Sequence, residues 1–461
     1  MPTRNDVIQS LQFPGIYALA PINTSGDGRY RITYEFETAQ PGDLWYSFTG
    51  WTAFGGAEKA AVRAALATVE QFLNVDFVEV SGASDPDLNF GKVTTGFGIA
   101  GLGGPQYSSL NVRITRYDGF AVFDRTIGLA SGQQGLILHE VGHALGLDHT
   151  FEGVPLDPAF DTNHYSLMSY TDDPTPGITD TTRMMVYDLV ALQDIWGAAD
   201  FNGGDTAYLG PRVAGIDVVW DSGGTDSLDA RGWGRGVELD LRGGAFSEWA
   251  GREDMAIAFD ADIESAYGSA YGDTLIGNAL ANILRGGASG DLLRGTTGDD
   301  RLEGQTGNDT LRGGRGADVV DGGEGNDTVK GTRGRDTVRG GEGDDLVKGG
   351  GGRDTLFGDA GDDDLRGWRA MDRLDGGTGD DSLRGGPGPD TFVFRPGYDT
   401  DTITDFGNGN DSLAVTGFGD AEAVMGFARE AGSDVIFDFG AGDRLIIEDT
   451  TLTAVEDALT T

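Results

Sequence analysis

The chain has 461 residues, which is enough for two or three domains with cores of their own, and its formal net charge at pH 7 is −42. This excess of acidic residues repels phosphate and argues against nucleic acid as a partner, and the absence of cysteine excludes disulfides. No stretch reaches the roughly 18 apolar residues of a membrane span, and the N-terminal residues lack the apolar core of a cleaved secretory signal.

One segment of eleven residues reads His-Glu-Val-Gly-His-Ala-Leu-Gly-Leu-Asp-His, from His139 to His149, and matches the pattern HExxHxxGxxH at every fixed position. On a helix, His139 and His143 lie on one face and can bind one metal ion, and Glu140 can reach a water at the open position of that ion. Gly146 permits a left-handed turn that ends the helix, so the chain can return and supply a third imidazole from His149. The segment therefore predicts a zinc site with three histidine ligands and Glu140 as the base.

A chance match is the alternative, because HExxH by itself occurs on ordinary amphipathic helices. Here five fixed positions agree, and three of the chain's four histidines fall inside the segment. Such scarce residues rarely fall into this spacing by chance, so the zinc interpretation is favoured. The fourth histidine, His164, matches no ligand position and is interpreted as a structural residue at the surface or behind the ligands.

Downstream of the zinc motif, residues 166–170 read Ser-Leu-Met-Ser-Tyr. They resemble the Met-turn of metzincin proteases, a tight turn that places a methionine beneath the zinc site. An isolated methionine is usually core filler, but Met168 follows His149 by 19 residues, which favours the Met-turn.

A second motif is a repeat of nine residues that runs from 268 to 393 without a slip in frame. Each of its fourteen copies begins with glycine, the sixth position is Asp in all copies but one (Asn282), and the eighth is Leu, Val or, once, Phe392. This resembles the RTX nonapeptide GGxGxDxUx, which forms a parallel β-roll. Glycine allows a tight turn, turn carbonyls and Asp carboxylates are hard oxygen ligands for Ca²⁺, and the eighth side chain is expected to point into a thin apolar core.

The repeats therefore predict calcium binding that is coupled to folding, because carboxylates along a narrow ladder repel one another without cations. The predicted calcium ligands are sixth-position aspartates, namely Asp291, Asp300, Asp309, Asp318, Asp327, Asp336, Asp345, Asp354, Asp363, Asp381 and Asp390. A disordered linker rich in Gly and Asp is the alternative, but fourteen copies in frame argue against it. Copies at the ends and the copy at 367–375 are expected to fold without a complete calcium site.

The ninth position is often basic, and these side chains are expected to line the solvated face of the roll and to offset the negative ladder. They are Arg285, Arg294, Arg312, Lys330, Arg339 and Lys348.

A zinc motif of this kind followed by RTX nonapeptides resembles the serralysins, secreted zinc metalloproteases of Gram-negative bacteria. The resemblance implies an α+β metzincin catalytic domain, then an all-β parallel β-roll, then a β-rich C-terminal cap. It places strands at 29–37 and 77–90, a closing helix at 184–196, and the first long helix at 56–73, where alanine and leucine recur at helical spacing.

The same resemblance suggests a division of the chain. It comprises a propeptide or a disordered leader at 1–20, the catalytic domain at 21–200, linker strands at 201–267, the roll at 268–393, and a cap with the secretion signal at 394–461. Residues 220–228 match the linker strand where the family places further calcium, which makes Asp221 and Asp226 candidate ligands. A plain Asp/Gly turn is the alternative there.

Tyr170 matches the tyrosine that serralysins and astacins use as an additional zinc ligand and that stabilises the oxyanion during catalysis. Two positions depart from the family pattern, since Thr150 replaces a proline and Thr171 replaces a tryptophan. Neither is a ligand or the base, so these departures bear on substrate preference rather than on the reaction.

These features predict a secreted zinc endopeptidase acting on extracellular proteins. Zinc is expected to lower the pKa of a bound water from about 16 to about 7, while Glu140 takes its proton and passes it to the leaving amine, and Tyr170 stabilises the oxyanion. The peptide is expected to add a strand to a sheet edge near residues 96–104. The alternative is a catalytically inert RTX calcium-binding surface or matrix protein, against which the intact catalytic residues argue.

The resemblance also implies leaderless export through a type I secretion channel, directed by a C-terminal signal. That region has strand-like runs at 433–439 and 444–448 and a polar end at 454–461. The partners implied are protein or peptide substrates, the secretion channel and a small proteinaceous inhibitor. The chain is expected to be an extracellular monomer.

Overall fold

The structure is a computed structural model that describes residues 2–24, 26–42, 44–83, 85–95, 99–110, 113–130, 132–150, 155–163, 165–170, 183–212, 216–407 and 410–460. His164 and Thr171 lie outside these residues. The described part up to Trp196 forms helices α1 (Arg4–Leu11), α2 (Pro14–Tyr17), α3 (Gly56–Val69), α4 (Gln134–Ala144) and α5 (Val186–Trp196), and strands β1 (Tyr30–Phe36), β2 (Thr49–Thr52), β3 (Val75–Glu79), β4 (Leu88–Thr94), β5 (Gly101–Leu110) and β6 (Arg113–Asp124).

These strands form one sheet in the order β3-β1-β4-β6-β5, with β2 paired to β4. Strand β1 pairs in parallel with β3 and β4, and β4 with β6, whereas β5 runs antiparallel to β6. Parallel neighbours need a crossover connection, and α3 lies in the one between β1 and β3. Because β5 ends the order, one of its edges has no neighbouring strand within the described residues.

Two helices differ in length from the expectations. Helix α3 ends at Val69 rather than at residue 73, since the chain turns there to enter β3. Helix α5 begins at Val186 rather than at residue 184, because the Asp188 carboxylate accepts a hydrogen bond of 2.8 Å from the Met185 backbone N–H and caps the helix there.

The N-terminal residues pack against this domain. Helix α1 begins at a capping box in which Thr3 and Asp6 exchange hydrogen bonds. Its side chains Val7, Ile8 and Leu11 are buried in the main hydrophobic core. Residues 4–17 thus form two helices with side chains in the core, and the interpretation of residues 1–20 as a propeptide or a disordered leader stays a prediction.

Beyond the helical part the chain is mostly β. The linker strands are β7 (Ala207–Tyr208), β8 (Asp217–Val219), β9 (Ser227–Asp229), β10 (Glu238–Asp240), β11 (Phe246–Glu248) and β12 (Glu253–Ile257). The repeat region forms β13 (Ser265–Tyr267), β14 (Thr274–Ile276), β15 (Ile283–Ala288), β16 (Leu292–Thr297), β17 (Arg301–Thr306), β18 (Thr310–Arg315), β19 (Val319–Glu324), β20 (Thr328–Arg333), β21 (Thr337–Glu342), β22 (Leu346–Gly351), β23 (Thr355–Ala360), β24 (Asp364–Arg369), β25 (Arg373–Thr378), β26 (Ser382–Arg384) and β27 (Thr391–Phe394).

Successive repeat strands alternate between a 15-stranded sheet, which contains the even-numbered strands β14 to β26, and a 12-stranded sheet, which contains the odd-numbered strands β13 to β27. Each strand pairs in parallel with the strand two further on, as β16 does with β18. Between the sheets, the eighth residue of every repeat is buried, namely Leu275, Leu284, Leu293, Leu302, Leu311, Val320, Val329, Val338, Val347, Leu356, Leu365, Leu374, Leu383 and Phe392. Each such side chain contributes about 2 kcal/mol relative to an exposed one.

The C-terminal cap continues both sheets with β28 (Thr400–Ile403), β29 (Ser412–Val415), α6 (Ala421–Met425), β30 (Ala428–Ala431), β31 (Asp434–Gly440), β32 (Asp443–Ile447), α7 (Leu452–Ala458) and β33 (Leu459–Thr460). The polar end thus contains a helix, which Thr451 caps by accepting a hydrogen bond from the Ala454 backbone N–H. Among the described helices, none has the length and apolarity to cross a membrane. The architecture confirms the predicted fold class, and the residue boundaries of the domains stay predictions.

Candidate metal centre and calcium-binding turns

Three histidines converge at the end of α4. His139 and His143 lie one turn apart on this helix, Gly146 has φ of +113° just after it, and the chain then brings His149 back beside them. The nitrogen atoms that could bind a metal lie within 4.8 Å of one another, and Nε2 of His143 and Nε2 of His149 are 3.1 Å apart. One ion can therefore bind all three imidazoles.

Backbone carbonyls orient two of the rings. Nδ1 of His139 lies 2.9 Å from the carbonyl oxygen of Leu167, and Nδ1 of His143 lies 2.8 Å from that of Leu147. A carbonyl only accepts hydrogen bonds, so each Nδ1 carries the proton and each Nε2 lone pair is free to bind a metal.

Burial keeps these imidazoles in the neutral form that binds metal. Loss of solvent lowers the pKa of His139 below its usual range and lowers that of His143 to about 3, and the neighbouring histidines add to both effects. The site is therefore ready for a cation at neutral pH without first having to lose protons.

Glu140 lies in the same cleft with 4% of its surface exposed. Burial raises its pKa to about 8, and Oε2 has no hydrogen-bond partner within the described part of the chain. A buried oxygen without a partner is costly, and a nearby cation or a bound water would satisfy it. Strand β5 passes close above, since a methyl group placed on Gly101 would lie 2.7 Å from Oε1 of Glu140.

Met168 is fully buried beneath the metal-binding helix. Its sulfur packs under Gly142, where an added methyl group would lie 3.1 Å away. The backbone N–H of Met168 donates to Oγ of Ser166, which donates in turn to the carboxylate of Asp188. The turn thus lies directly behind His139 and His143.

Asp188 is a site residue that the sequence reasoning missed. Its buried carboxylate accepts hydrogen bonds from Oγ of Ser166 (2.6 Å) and from the backbone N–H of Leu167 (2.8 Å), besides that of Met185. Because the Leu167 carbonyl orients His139, Asp188 supports a proposed ligand through one intervening residue. The sequence feature that could have revealed it is an aspartate within an otherwise apolar helix, but this feature is too common to be specific.

We expect Asp188→Asn to lower the free energy of unfolding by about 2 kcal/mol, because the Leu167 and Met185 N–H groups lose their charged acceptor and an amide nitrogen would face the Ser166 hydroxyl. Loss of support for His139 should also weaken zinc binding about tenfold. Thermal unfolding and zinc titration against a competing chelator measure the two effects. Asp200→Asn, a change of an exposed aspartate, is the control. Unchanged zinc affinity in Asp188→Asn would contradict the supporting role.

Tyr170 lies beside the histidines with 67% of its surface exposed. Its ring centroid is 4.6 Å from that of His149 and 5.8 Å from that of His139. The surrounding cleft has a volume of about 480 Å³ and includes residues 101–105 of β5. The part of the predicted peptide-binding segment at 96–98 lies outside the described residues.

The N-terminal segment forms another wall of this cleft. Phe13, Pro14 and Gly15 line it, and the Phe13 ring is 6.1 Å from the ring of His143. Thr150, at a position that departs from the family pattern, is fully buried, hydrogen-bonds to Asp161 and accepts a hydrogen bond from Ser10 through its carbonyl. The threonine hydroxyl thus engages Asp161, whereas the bond to helix α1 uses the backbone carbonyl, which a proline would also supply.

In the roll, the two carboxylate oxygens of each sixth-position aspartate have different surroundings. Oδ1 of Asp309 accepts a hydrogen bond of 2.7 Å from the backbone N–H of Asp291, two repeats earlier, and this bond recurs along the ladder. Oδ2 is buried without a hydrogen-bond partner among the described residues in all eleven predicted ligands. A methyl group on Gly304 would lie 2.3 Å from Oδ2 of Asp309 and 2.4 Å from the carbonyl oxygen of Gly322, so oxygens crowd the space at the turn. These oxygens fit a hard cation such as Ca²⁺.

Two more aspartates share this arrangement and were missed. Asp372, in the irregular repeat, and Asp401, beyond the last repeat, also have a buried Oδ2 without a hydrogen-bond partner within the described chain. Asp401 continues the ladder at a spacing of 20 residues from Asp381, so the nine-residue frame could not reveal it. In contrast, the Asn282 side chain donates to Glu264 and Asn278 and leaves no such oxygen, which agrees with a turn that lacks a complete site.

The linker aspartates are close together and buried. Asp221 accepts a hydrogen bond of 2.7 Å from the Tyr208 hydroxyl. Burial, together with nearby Asp221 and Glu264, raises the pKa of Asp226 to about 6, and its Oδ2 has no hydrogen-bond partner in the described chain. These surroundings favour a cation over a plain Asp/Gly turn.

The chain is similar to several known proteins. The family described as Peptidase M10 serralysin C terminal matches residues 212–446, which is just over half of the chain. The metallopeptidase AprA of Pseudomonas marginalis is 29% identical over 56% of this chain and 62% of its own length. Serralysin of Photorhabdus luminescens is 26% identical over 55% and 59%, and serralysin A of Dickeya chrysanthemi 31% over 50% and 54%.

The chain therefore belongs to the peptidase M10 serralysin C-terminal family, through residues 212–446. It spans about three fifths of the length of the first relatives it matches.

Proposed function

We propose that this protein is a secreted zinc endopeptidase that hydrolyses peptide bonds of extracellular proteins. The observation that carries the proposal is the convergence of three imidazoles with a buried carboxylate in a cleft lined by the end strand β5. His139, His143 and His149 would hold zinc, and Tyr170 would be a further ligand. Bound zinc would polarise the substrate carbonyl and lower the pKa of the attacking water.

The chain's own residues would perform the remaining steps. Glu140 accepts the proton of the attacking water and donates it to the leaving amine. The Tyr170 hydroxyl donates a hydrogen bond to the oxyanion of the tetrahedral carbon. The substrate backbone pairs with β5 as an added strand, so side-chain selectivity is expected to be broad.

We further propose that Ca²⁺ binds the aspartates of the roll turns and the linker pair Asp221 and Asp226. The support is the series of buried carboxylate oxygens that lack a hydrogen-bond partner in the described chain. We retain the division into a catalytic domain at 21–200, a linker at 201–267, a roll at 268–393 and a cap at 394–461. Export through a type I channel, a monomeric state and a small proteinaceous inhibitor are proposed from the family resemblance.

The proposed role of Tyr170 leads to a prediction for Tyr170→Phe. We expect kcat to fall about 100-fold, as when an oxyanion donor is removed, while zinc content changes little. Peptide hydrolysis with elemental analysis for zinc measures both. Tyr46→Phe, in the same cleft, is the control and should change kcat little. Equal losses of turnover and zinc would make Tyr170 a structural ligand instead.

A further inference from the structure

The two sheets of the roll carry very different charges on their outer faces. On the 15-stranded sheet, nine basic residues occupy the third and ninth repeat positions. We call them the cationic face: Arg294, Arg312, Arg315, Lys330, Arg333, Lys348, Arg366, Arg369 and Arg384. On the even-numbered strands from β16 to β24, no acidic residue occurs at the second, third or ninth repeat position, although the chain has 75 acidic residues. The face is thus positive on a strongly negative protein.

The ninth-position residues form one continuous row. Strand pairing places Arg312 opposite Arg294 and Lys330, and Lys348 opposite Lys330 and Arg366. Neighbouring strands in a sheet are about 4.8 Å apart, so positive charges follow one another at this spacing along the roll. Such an arrangement is repulsive unless anions neutralise it.

Intramolecular acids neutralise only the end of this row. Arg366 pairs with Asp364 and Arg384 with Asp405. Within the described part of the chain, the six residues of the cationic face that precede Arg366 in the sequence form no ion pair. Arginines of the 12-stranded sheet do pair with acids, as Arg285 does with Glu303. The pKa of Lys348 is lowered by burial and by Arg366 and Lys330. The positive charges of this row are therefore available to bind an external anion.

The surface between the two basic rows is concave and ends at an aromatic ring. One groove of about 630 Å³ lies between the arginines at 294, 312, 315 and 333, over a floor of threonine and glycine. A second, of about 330 Å³, is lined by Arg366, Trp368, Arg369 and Arg384. Trp368 has 55% of its surface exposed, and no ring or cation among the described residues stacks on it. The far end of the face thus offers an indole plane flanked by three guanidinium groups.

Trp368 occupies an unfavourable position for its type. Its φ is +82°, in the left-handed region that bulky residues avoid, and its neighbour in the adjacent strand is Gly350. Glycine fills this second repeat position in seven of the fourteen copies, and Trp368 is the one aromatic residue there. Thr296, Gln305, Thr332 and Asp359 share a positive φ at this repeat position, so the repeat sets the backbone, and it is the exposed indole beside cations that points to a ligand contact.

We propose that the cationic face binds an acidic polysaccharide of the polyuronate class, with the chain lying along the roll. A polyuronate carries one carboxylate on each sugar ring, which matches a linear row of cations, and arginine binds carboxylates with paired hydrogen bonds. The apolar C–H face of a sugar ring can pack on the exposed indole of Trp368. This binding would hold the protein on an anionic matrix and does not depend on the proposed peptidase activity.

Other polyanions fit the face less well. Single-stranded nucleic acids require a series of aromatic platforms, whereas the described part of this face has one exposed tryptophan. A membrane surface favours apolar anchors next to the basic residues, and the groove floor is threonine and glycine.

The test is titration of the full-length, calcium-loaded protein with short oligogalacturonides. We expect binding that weakens with added NaCl. The double variant Lys330→Gln/Lys348→Gln should bind about fivefold more weakly, whereas Arg335→Gln/Arg353→Gln, an equal charge change on exposed turn residues, should bind nearly as well as the wild type.

Trp368→Gly should bind about tenfold more weakly and fold at least as well, because glycine accepts a positive φ, and Trp368→Tyr should restore most of the affinity. Circular dichroism in calcium verifies the fold of each variant. Equal weakening by both double variants, or no effect of either Trp368 change, would overturn the proposal. So would absence of oligogalacturonide binding, or tighter face-dependent binding of single-stranded DNA or of anionic phospholipid vesicles.

Discussion

Replacing Glu140 with Gln or Ala should lower casein hydrolysis by about a thousandfold or more while zinc content and fold persist. Glu140 touches the reacting water in the proposed mechanism but is not a metal ligand, since the three imidazoles supply those contacts. Its surroundings support this role, because burial raises its pKa to about 8 and leaves Oε2 without a hydrogen-bond partner in the described chain. A nearby cation would lower that pKa and make the carboxylate a base at neutral pH.

The measurement is hydrolysis in millimolar calcium by purified wild type and variants, with elemental analysis for zinc. Chelators by themselves would mislead, since they remove both metals. Glu238→Gln, a change of an exposed glutamate on β10, is the matched control and should retain full activity. Equal activity in the wild type and in the Glu140 variants would refute the assignment. Zinc without hydrolysis in the wild type would favour the inert RTX calcium-binding protein.

Removal of calcium should unfold the roll, and its return should restore β structure cooperatively. The folded roll places carboxylates two repeats apart next to one another, and burial raises the pKa of Asp291 and Asp363 to about 8 and that of Asp327 and Asp336 to about 7. Without cations these groups resist ionisation, so the folded state is costly at neutral pH. Circular dichroism of the full chain during calcium titration measures this coupling.

The sign of the pH dependence should depend on calcium. Unfolded aspartates have a pKa of about 3.9, and the calcium-free folded roll has higher values, so it binds more protons between about pH 4 and about pH 8. Stability without calcium should therefore fall as pH rises through this range. With saturating calcium, protons compete with the cation, so stability should fall toward acid pH.

A single substitution tests the individual turns. Asp336→Asn should raise the calcium concentration at the folding midpoint, because it removes a charged ligand, whereas Glu342→Gln on the exposed surface should not. A calcium titration without any spectral change would contradict the coupling. The same would follow from a calcium-free chain that gains stability between about pH 4 and about pH 8.

The histidine cluster of the candidate metal site could be predicted because it depends on short spacings. The distance between His139 and His143 is one helical turn, and Gly146 with its positive φ brings back His149, so three proposed ligands follow from eleven residues. The roll could be predicted in the same way, since a repeat of nine residues specifies which side chains are buried and which aspartates meet at the turns.

Long-range contacts escaped prediction. Asp188 acts on the histidines through a turn some 20 residues away along the chain, and no local pattern reveals such a hydrogen bond. Asp401 lies outside the nine-residue frame, yet pairing of β26 with β28 returns it to the ladder. The packing of helix α1 likewise depends on α5 and on the loop after His149, which no pattern within residues 1–20 reveals.

The sequence by itself determined the donor set of the metal centre and the register of the roll, because both arise from periodic spacing within single elements. Only the tertiary structure decided which groups face one another across elements. It aligned basic residues from alternate repeats into one cationic face beside Trp368, since strands two repeats apart become neighbours in the sheet. The tertiary structure also decided the surroundings of the sixth-position aspartates. Oδ1 accepts a backbone hydrogen bond from two repeats earlier, whereas Oδ2 is buried without a hydrogen-bond partner in the described chain.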